Sequence, residues 1–176
     1  MTRVKHFKPN TGQAFENLLN IINLQYANQG IALINKRATP VTVQQVNGRK
    51  ISKAYFAEKS TVDYDGTYRG KSIIFEAKST LESRFTLKLL KDHQLEYLIN
   101  AEKHGAVAFV LIEFSKVRKI FYCPVSFINL YYTKAKVGGH KSIPLADFDI
   151  YAYEVVRGRL SLDYLAIVDQ LHERES

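Results

Sequence analysis

The chain has 176 residues, 46% of them apolar and 12% aromatic, and 25 Lys and Arg against 17 Asp and Glu give a net charge of +8. That is the size of one domain with enough apolar mass for a core, which excludes a disordered chain, while 9 Gly and 4 Pro exclude collagen-like and linker classes. A single cysteine, Cys123, excludes a disulfide framework and multi-cysteine zinc patterns, and the positive balance points to a polyanionic partner, nucleic acid first.

In chain order, Phe15, Leu18, Leu19, Ile22 and Tyr26 fall at helical spacing, with Asn10 or Thr11 as cap and Gly30 as stop. Ile31 to Asn35 is a short buried strand. From Lys36 to Lys59 the apolar residues thin out, Val41 and Val43 alternate with polar residues, and Asn47-Gly48 signals a hairpin turn. This segment carries Lys36, Arg37, Arg49, Lys50, Lys53 and Lys59 against the single acid Glu58. It reads as a basic projection at about 37–60 from a single domain spanning 1–176.

Val62 to Lys78 reads as a hairpin. Leu87, Leu90, Gln94, Leu98 and Ala101 make one stripe of a helix ending near His104-Gly105. Val107 to Ile112 is a continuous apolar run, as in a strand covered on both faces. Lys119 to Cys123 is another strand, and Pro124 opens a helix to about Tyr132. Lys134 to Lys141 is a basic loop, Tyr151 to Val156 a last strand, and Leu162 to Leu171 a final amphipathic helix. The order predicts an α/β layer, a mixed sheet flanked by helices on both faces. No apolar run approaches the roughly 18 residues of a membrane span. No apolar segment follows the basic N-terminus as in a secretion signal, and with the lone cysteine this gives a cytoplasmic expectation.

The residues with chemistry lie in the hairpin. With a turn at Arg69-Gly70, opposed residues share a constant number sum, so Asp63 falls across from Glu76. Their Cβ atoms would lie about 4.5–5.5 Å apart, and two carboxylates at that range repel unless a cation or shared proton sits between them. Magnesium or manganese suits such oxygen ligands. Lys78, two residues past Glu76, emerges on the same face and is placed to stabilise charge on a phosphate. Thr61 shares the face of Asp63. Gln94 is a polar residue on an apolar stripe, facing either a metal or a backbone group. Glu16 either borders the same site or is a solvated helix acid. A turn at Asp65-Gly66 would instead pair Asp63 with Tyr68, leaving an ordinary surface hairpin. The five histidines share no ligand spacing.

At these residues the sequence resembles the RecU family of Holliday junction resolvases, Mg-dependent dimeric nucleases of the PD-(D/E)XK, restriction-endonuclease-like fold. The resemblance rests on Asp63…Glu76-Ala-Lys78 with Asp92-His-Gln94 downstream. Lys36-Arg-Ala-Thr-Pro, Ala54-Tyr-Phe, Ser60-Thr-Val-Asp-Tyr-Asp-Gly and Gly139-His-Lys-Ser-Ile extend it from about Asn10 to Leu171. It implies Thr61, Asp63, Glu76 and Gln94 as Mg2+ (or Mn2+) ligands, Asp63, Glu76 and Lys78 as catalytic, and Thr39 to Lys59 as a stalk entering the junction. Implied partners are four-way junction DNA, a second copy of the chain, and a recombinase or branch-migration machinery. Two other readings are kept: a general nuclease of this superfamily on linear or flap DNA, and a branched-DNA-binding module without catalysis.

Overall fold

The computed structural model describes residues 11–38, 41–56 and 61–173. Helix α1 (Thr11–Asn28) leads into strand β1 (Leu33–Lys36), and β2 (Val41–Asn47) and β3 (Lys50–Phe56) form a separate hairpin. β4 (Tyr64–Tyr68) and β5 (Lys71–Thr80) follow, then β6 (Arg84–Thr86), a 3-10 turn (Leu87–Leu89) and helix α2 (Asp92–Lys103). The chain continues through β7 (Val107–Phe114), β8 (Lys119–Pro124), α3 (Val125–Lys136), β9 (Ser142–Pro144), α4 (Leu145–Tyr151), β10 (Tyr153–Glu154) and α5 (Tyr164–Glu173). The main sheet has the order β1-β4-β5-β7-β8-β10, with β5 and β7 parallel and the other neighbours antiparallel.

Both faces of the sheet are covered. One apolar cluster joins α1 and α5 to residues such as Phe75, Phe109 and Tyr122, and another joins α2, α3 and α4 to Val110, Ile112 and Phe121. On the α1/α5 face four rings stack across four adjacent strands. Centroid distances are 4.7 Å for Tyr64–Phe75, 5.0 Å for Phe75–Phe109 and 4.3 Å for Phe109–Tyr122. Because side chains alternate along a strand, this ladder holds Glu76, next to Phe75, on the α2 face. Phe109→Ala is expected to cost about 3–5 kcal/mol, read as a lower denaturant midpoint at unchanged slope.

The expected mixed sheet with helices on both faces is present, and four local expectations are corrected. The projecting hairpin turns at Gly48-Arg49, because Asn47 pairs with Lys50 and only Gly48 takes a positive φ, +60°. A glycine at the first turn position meets the requirement of a different two-residue turn from the Asn-Gly type. Helix α2 starts at Asp92, not before Leu87: Lys91 is extended (φ −83°, ψ 151°), and the Gln94 side chain caps its N–H. Tyr151 to Val156 is not one strand. Tyr151 ends α4, which is anchored by Phe148 among Phe85, Phe114, Phe121 and Phe127. The strand is reduced to Tyr153 and Glu154 paired with β8, with the Val155 N–H donating to the Ile120 carbonyl at 2.7 Å. Helix α3 runs on to Lys136, past the expected end near Tyr132. The expected positions of Asn10 and Lys59 lie outside the described residues.

Candidate active site

The site is built by one turn and one register. Arg69 and Gly70 take φ of 49° and 75°, the pattern of a tight two-residue hairpin turn. Tyr64 pairs with Phe75 and Tyr68 with Lys71, so one step further Asp63 lies across from Glu76. The competing turn at Asp65-Gly66 is excluded, because Gly66 is mid-strand between Ile34 and Ile73. A Cβ on Gly66 would come within 2.1 Å of the Leu33 carbonyl oxygen, so β1 can lie against β4 only over a glycine.

Each of the two carboxylates accepts a backbone N–H from the facing strand segment. The Asp63 N–H donates to Glu76 Oε2 at 3.0 Å, and the Ala77 N–H donates to Asp63 Oδ2 at 3.2 Å. Lys78 comes off the same face and its ammonium pairs with Glu76 Oε1. Gln94 Nε2 donates to the same oxygen at 2.7 Å, while Gln94 Oε1 accepts the Lys91 N–H at 3.0 Å. Of the two expected partners of Gln94, the backbone group is the one its carbonyl oxygen meets, at the start of α2, and its amide nitrogen, a donor and not a metal ligand, faces the Glu76 carboxylate.

Glu76 is wholly buried, with 0% exposure, while the Lys78 side chain keeps 20%. Burial pushes the Glu76 carboxyl up to about 8; Lys78 acts against this and Asp63 reinforces it. Two carboxyl groups on one face, one raised by burial and a like charge, call for a proton or a cation between them. Among the described residues no group of three Asp, Glu, His or Cys side chains is placed to hold a metal. Asp63 and Glu76 are two oxygen donors on one face, a set that fits a hard divalent ion that takes one or two carboxylates and completes its shell with water and a phosphate.

The remaining expected residues are distributed around this centre. The Thr61 hydroxyl accepts a 2.6 Å bond from Arg37 Nη1. Arg37 Nη2 donates to Asp65 Oδ2 at 3.1 Å and to the Tyr97 hydroxyl at 3.2 Å, and the Arg37 N–H donates to the Asp63 carbonyl at 2.8 Å. Arg37, one of the basic residues expected to contact DNA, clasps the segment that carries Asp63 and keeps 30% of its side chain exposed. Glu16 pairs with Lys36, and its backbone carbonyl accepts from the Tyr64 hydroxyl at 3.2 Å. Burial first, then the charges of Glu16, Asp63 and Glu76, push the Tyr64 hydroxyl upward. Arg49, Lys50 and Lys53 are exposed on the β2–β3 hairpin. Cys123 is fully buried, as a core residue would be. The Arg37 clasp was not legible beforehand: its four partners sit at separations of 24 to 60 residues, and no spacing announces them.

The family model described as Recombination protein U matches residues 10–170. A Holliday junction resolvase RecU of Geobacillus sp. (strain WCH70) is 33% identical over 96% of this chain and 89% of its own length. One from Lactococcus lactis subsp. lactis (strain IL1403) is 37% identical over 92% and 78%. Among solved structures, the Hjc Holliday junction resolvase of Archaeoglobus fulgidus superposes with a TM-score of 0.50 at 16% identity, covering 81% of this chain and 95% of that one. This is a likeness of fold, the restriction-endonuclease-like mixed sheet. With the family model matching residues 10–170 and these relatives 33% and 37% identical over most of the chain, the chain belongs to the RecU family.

Proposed function

We propose that the chain is a Mg2+-dependent endodeoxyribonuclease that resolves Holliday junctions by paired nicks, working as a homodimer in recombination and repair. The observation that carries this is the Asp63–Glu76–Lys78 constellation on one face of the β4–β5 hairpin, in a chain whose relatives are named as resolvases. We take 1–176 as one nuclease domain with a projecting basic stalk. Every residue from 42 to 53 is exposed, and Arg49, Lys50 and Lys53 give that stalk its charge for a junction centre. No helix among the described residues is long and apolar enough to cross a membrane.

The residues divide the work. Asp63 and Glu76 are the carboxylates that would hold the ion. The chemistry supplied by bound Mg2+ is activation of the attacking water and neutralisation of the leaving oxygen. Lys78 has three N–H donors, one of them on Glu76, and the others are available to the non-bridging oxygens of a scissile phosphate. Gln94 orients Glu76 from α2. Two copies related by a two-fold axis would match the symmetry of a four-way junction. The test is strand-resolved mapping of cuts in a synthetic immobile junction. Nicks at symmetry-related positions of opposite strands are expected, and cuts scattered without symmetry would refute paired resolution.

Arg37→Ala separates two roles. If Arg37 holds the Asp63 segment, the variant binds junctions normally and cuts bound DNA about tenfold to a hundredfold more slowly, as small misplacements of a catalytic group do. Weakened binding with an unchanged rate on bound DNA would return Arg37 to the DNA surface.

A further inference from the structure

The basic stretch near the end of α3 has no role in the constellation above. It lines a cleft of about 430 Å3 together with the 3-10 turn and the start of α2. Four lysines, Lys88, Lys91, Lys136 and Lys141, face it against one carboxylate, Asp92, over an apolar floor that includes Leu87 and Leu90. All four are exposed, and none forms an ion pair with a described residue, whereas Lys36, Lys78 and Lys119 each do. Such a concentration of unneutralised ammonium groups favours a polyanion with charges spaced along it.

The cleft is fixed rather than loose. The Tyr132 hydroxyl of α3 reaches the Leu87 and Leu90 carbonyls, tying the turn that carries Lys88 to the helix that carries Lys136. The Leu87 N–H donates to the Lys141 carbonyl at 3.1 Å, which ties in the following loop. The cleft is also registered to the acidic site: the Lys91 N–H bonds Gln94 Oε1, and Gln94 Nε2 bonds Glu76. Topology puts both at one end of the sheet. Because β5 and β7 are parallel, α2 between them starts at the C-terminal end of β5, the end that carries Glu76 and Lys78. Because β8 runs against β7, α3 returns to that same end.

We infer that this cleft is a second DNA-backbone site, in which Lys88, Lys91, Lys136 and Lys141 hold the phosphates of one duplex arm beside the cut. The inference rests on the DNA-cleaving reading above and extends it to a duplex arm of the junction.

The test uses the full chain carrying Lys88→Ala, Lys136→Ala and Lys141→Ala together, with junction affinity measured in EDTA over a series of salt concentrations. Each lost phosphate contact lowers the slope of log K against log salt by about 0.9, so three give about 2.7. The matching triple Lys→Arg variant is expected to keep the parental slope, which separates lost charge from lost fold. Lys103→Ala, at the far end of α2, is expected to leave the slope unchanged. A parental slope in the triple Ala variant, with parental binding intact, would overturn this inference alone. A parental protein that binds no DNA would overturn the DNA reading and this inference with it.

Discussion

Lys78→Ala is expected to bind a four-way junction as the parental protein does and to cut it about a hundredfold to a thousandfold more slowly, the range seen when one preorganised donor to a developing oxyanion is removed. The lysine is held on Glu76, one side chain away along the strand, and keeps only 20% of its side-chain surface exposed. It is therefore poorly placed to anchor DNA by general attraction and well placed to meet a phosphate brought to the carboxylates. Its removal also leaves Glu76 buried beside Asp63 without the one nearby charge that lowers its pKa. Single-turnover rates with enzyme in excess, beside binding measured in EDTA, separate the two effects. Parental cutting would remove Lys78 from the chemistry, and lost binding would make it a DNA contact.

Magnesium is expected to stabilise the protein strongly at about pH 9 and weakly at about pH 6, because a metal ligand must be deprotonated. With the Glu76 carboxyl pushed up to about 8, roughly one molecule in a hundred has it ionised two units lower, so the apparent affinity should fall about a hundredfold over that span. The sign for the metal-free protein is the reverse of the usual carboxylate. The folded pKa lies above the ordinary 4.5, so the folded state keeps a proton that the unfolded chain releases. The Glu76 contribution to stability is therefore present at low pH and lost as pH rises from about 4.5 through about 8. The melting temperature without Mg2+, followed against pH, reads the second effect, and the gain on adding Mg2+ reads the first, since a ligand of the folded state at free concentration L stabilises by RT ln(1 + L/Kd). Glu76→Gln, which has no proton to lose, should flatten the profile. A gain independent of pH in the parental protein would mean that Glu76 does not hold the ion.

What could be read beforehand follows from how local each feature is. The common face of Glu76 and Lys78 is local and legible from spacing, while the pairing of Asp63 with Glu76 follows only if the turn falls at Arg69-Gly70 rather than Asp65-Gly66, which the register of β4 with β1 and β5 decides. The Gly48-Arg49 turn slipped by one residue from Asn47-Gly48, because two adjacent turns of different type compete there and only pairing decides. β6 and β9 are three-residue strands that pair with each other across more than fifty residues, and α4 is held by a cluster of phenylalanines. Tertiary packing makes these elements, and periodicity cannot show them. The same holds for Arg37. Its sequence neighbourhood is that of a basic projection, and only the folded sheet brings Thr61, Asp65 and Tyr97 to its guanidinium. Gln94 was legible as an anomaly, a polar residue on a buried stripe, and the structure gives the anomaly a carboxylate partner and a backbone partner.

The most direct measurement is the cleavage rate of an immobile four-way junction beside a linear duplex of the same sequence, each with Mg2+ and with EDTA. The predicted result is cutting of the junction alone, and only with Mg2+. Equal cutting of the linear duplex would make this a general nuclease, and firm junction binding with no cutting at any divalent concentration would contradict the catalytic reading of Asp63, Glu76 and Lys78.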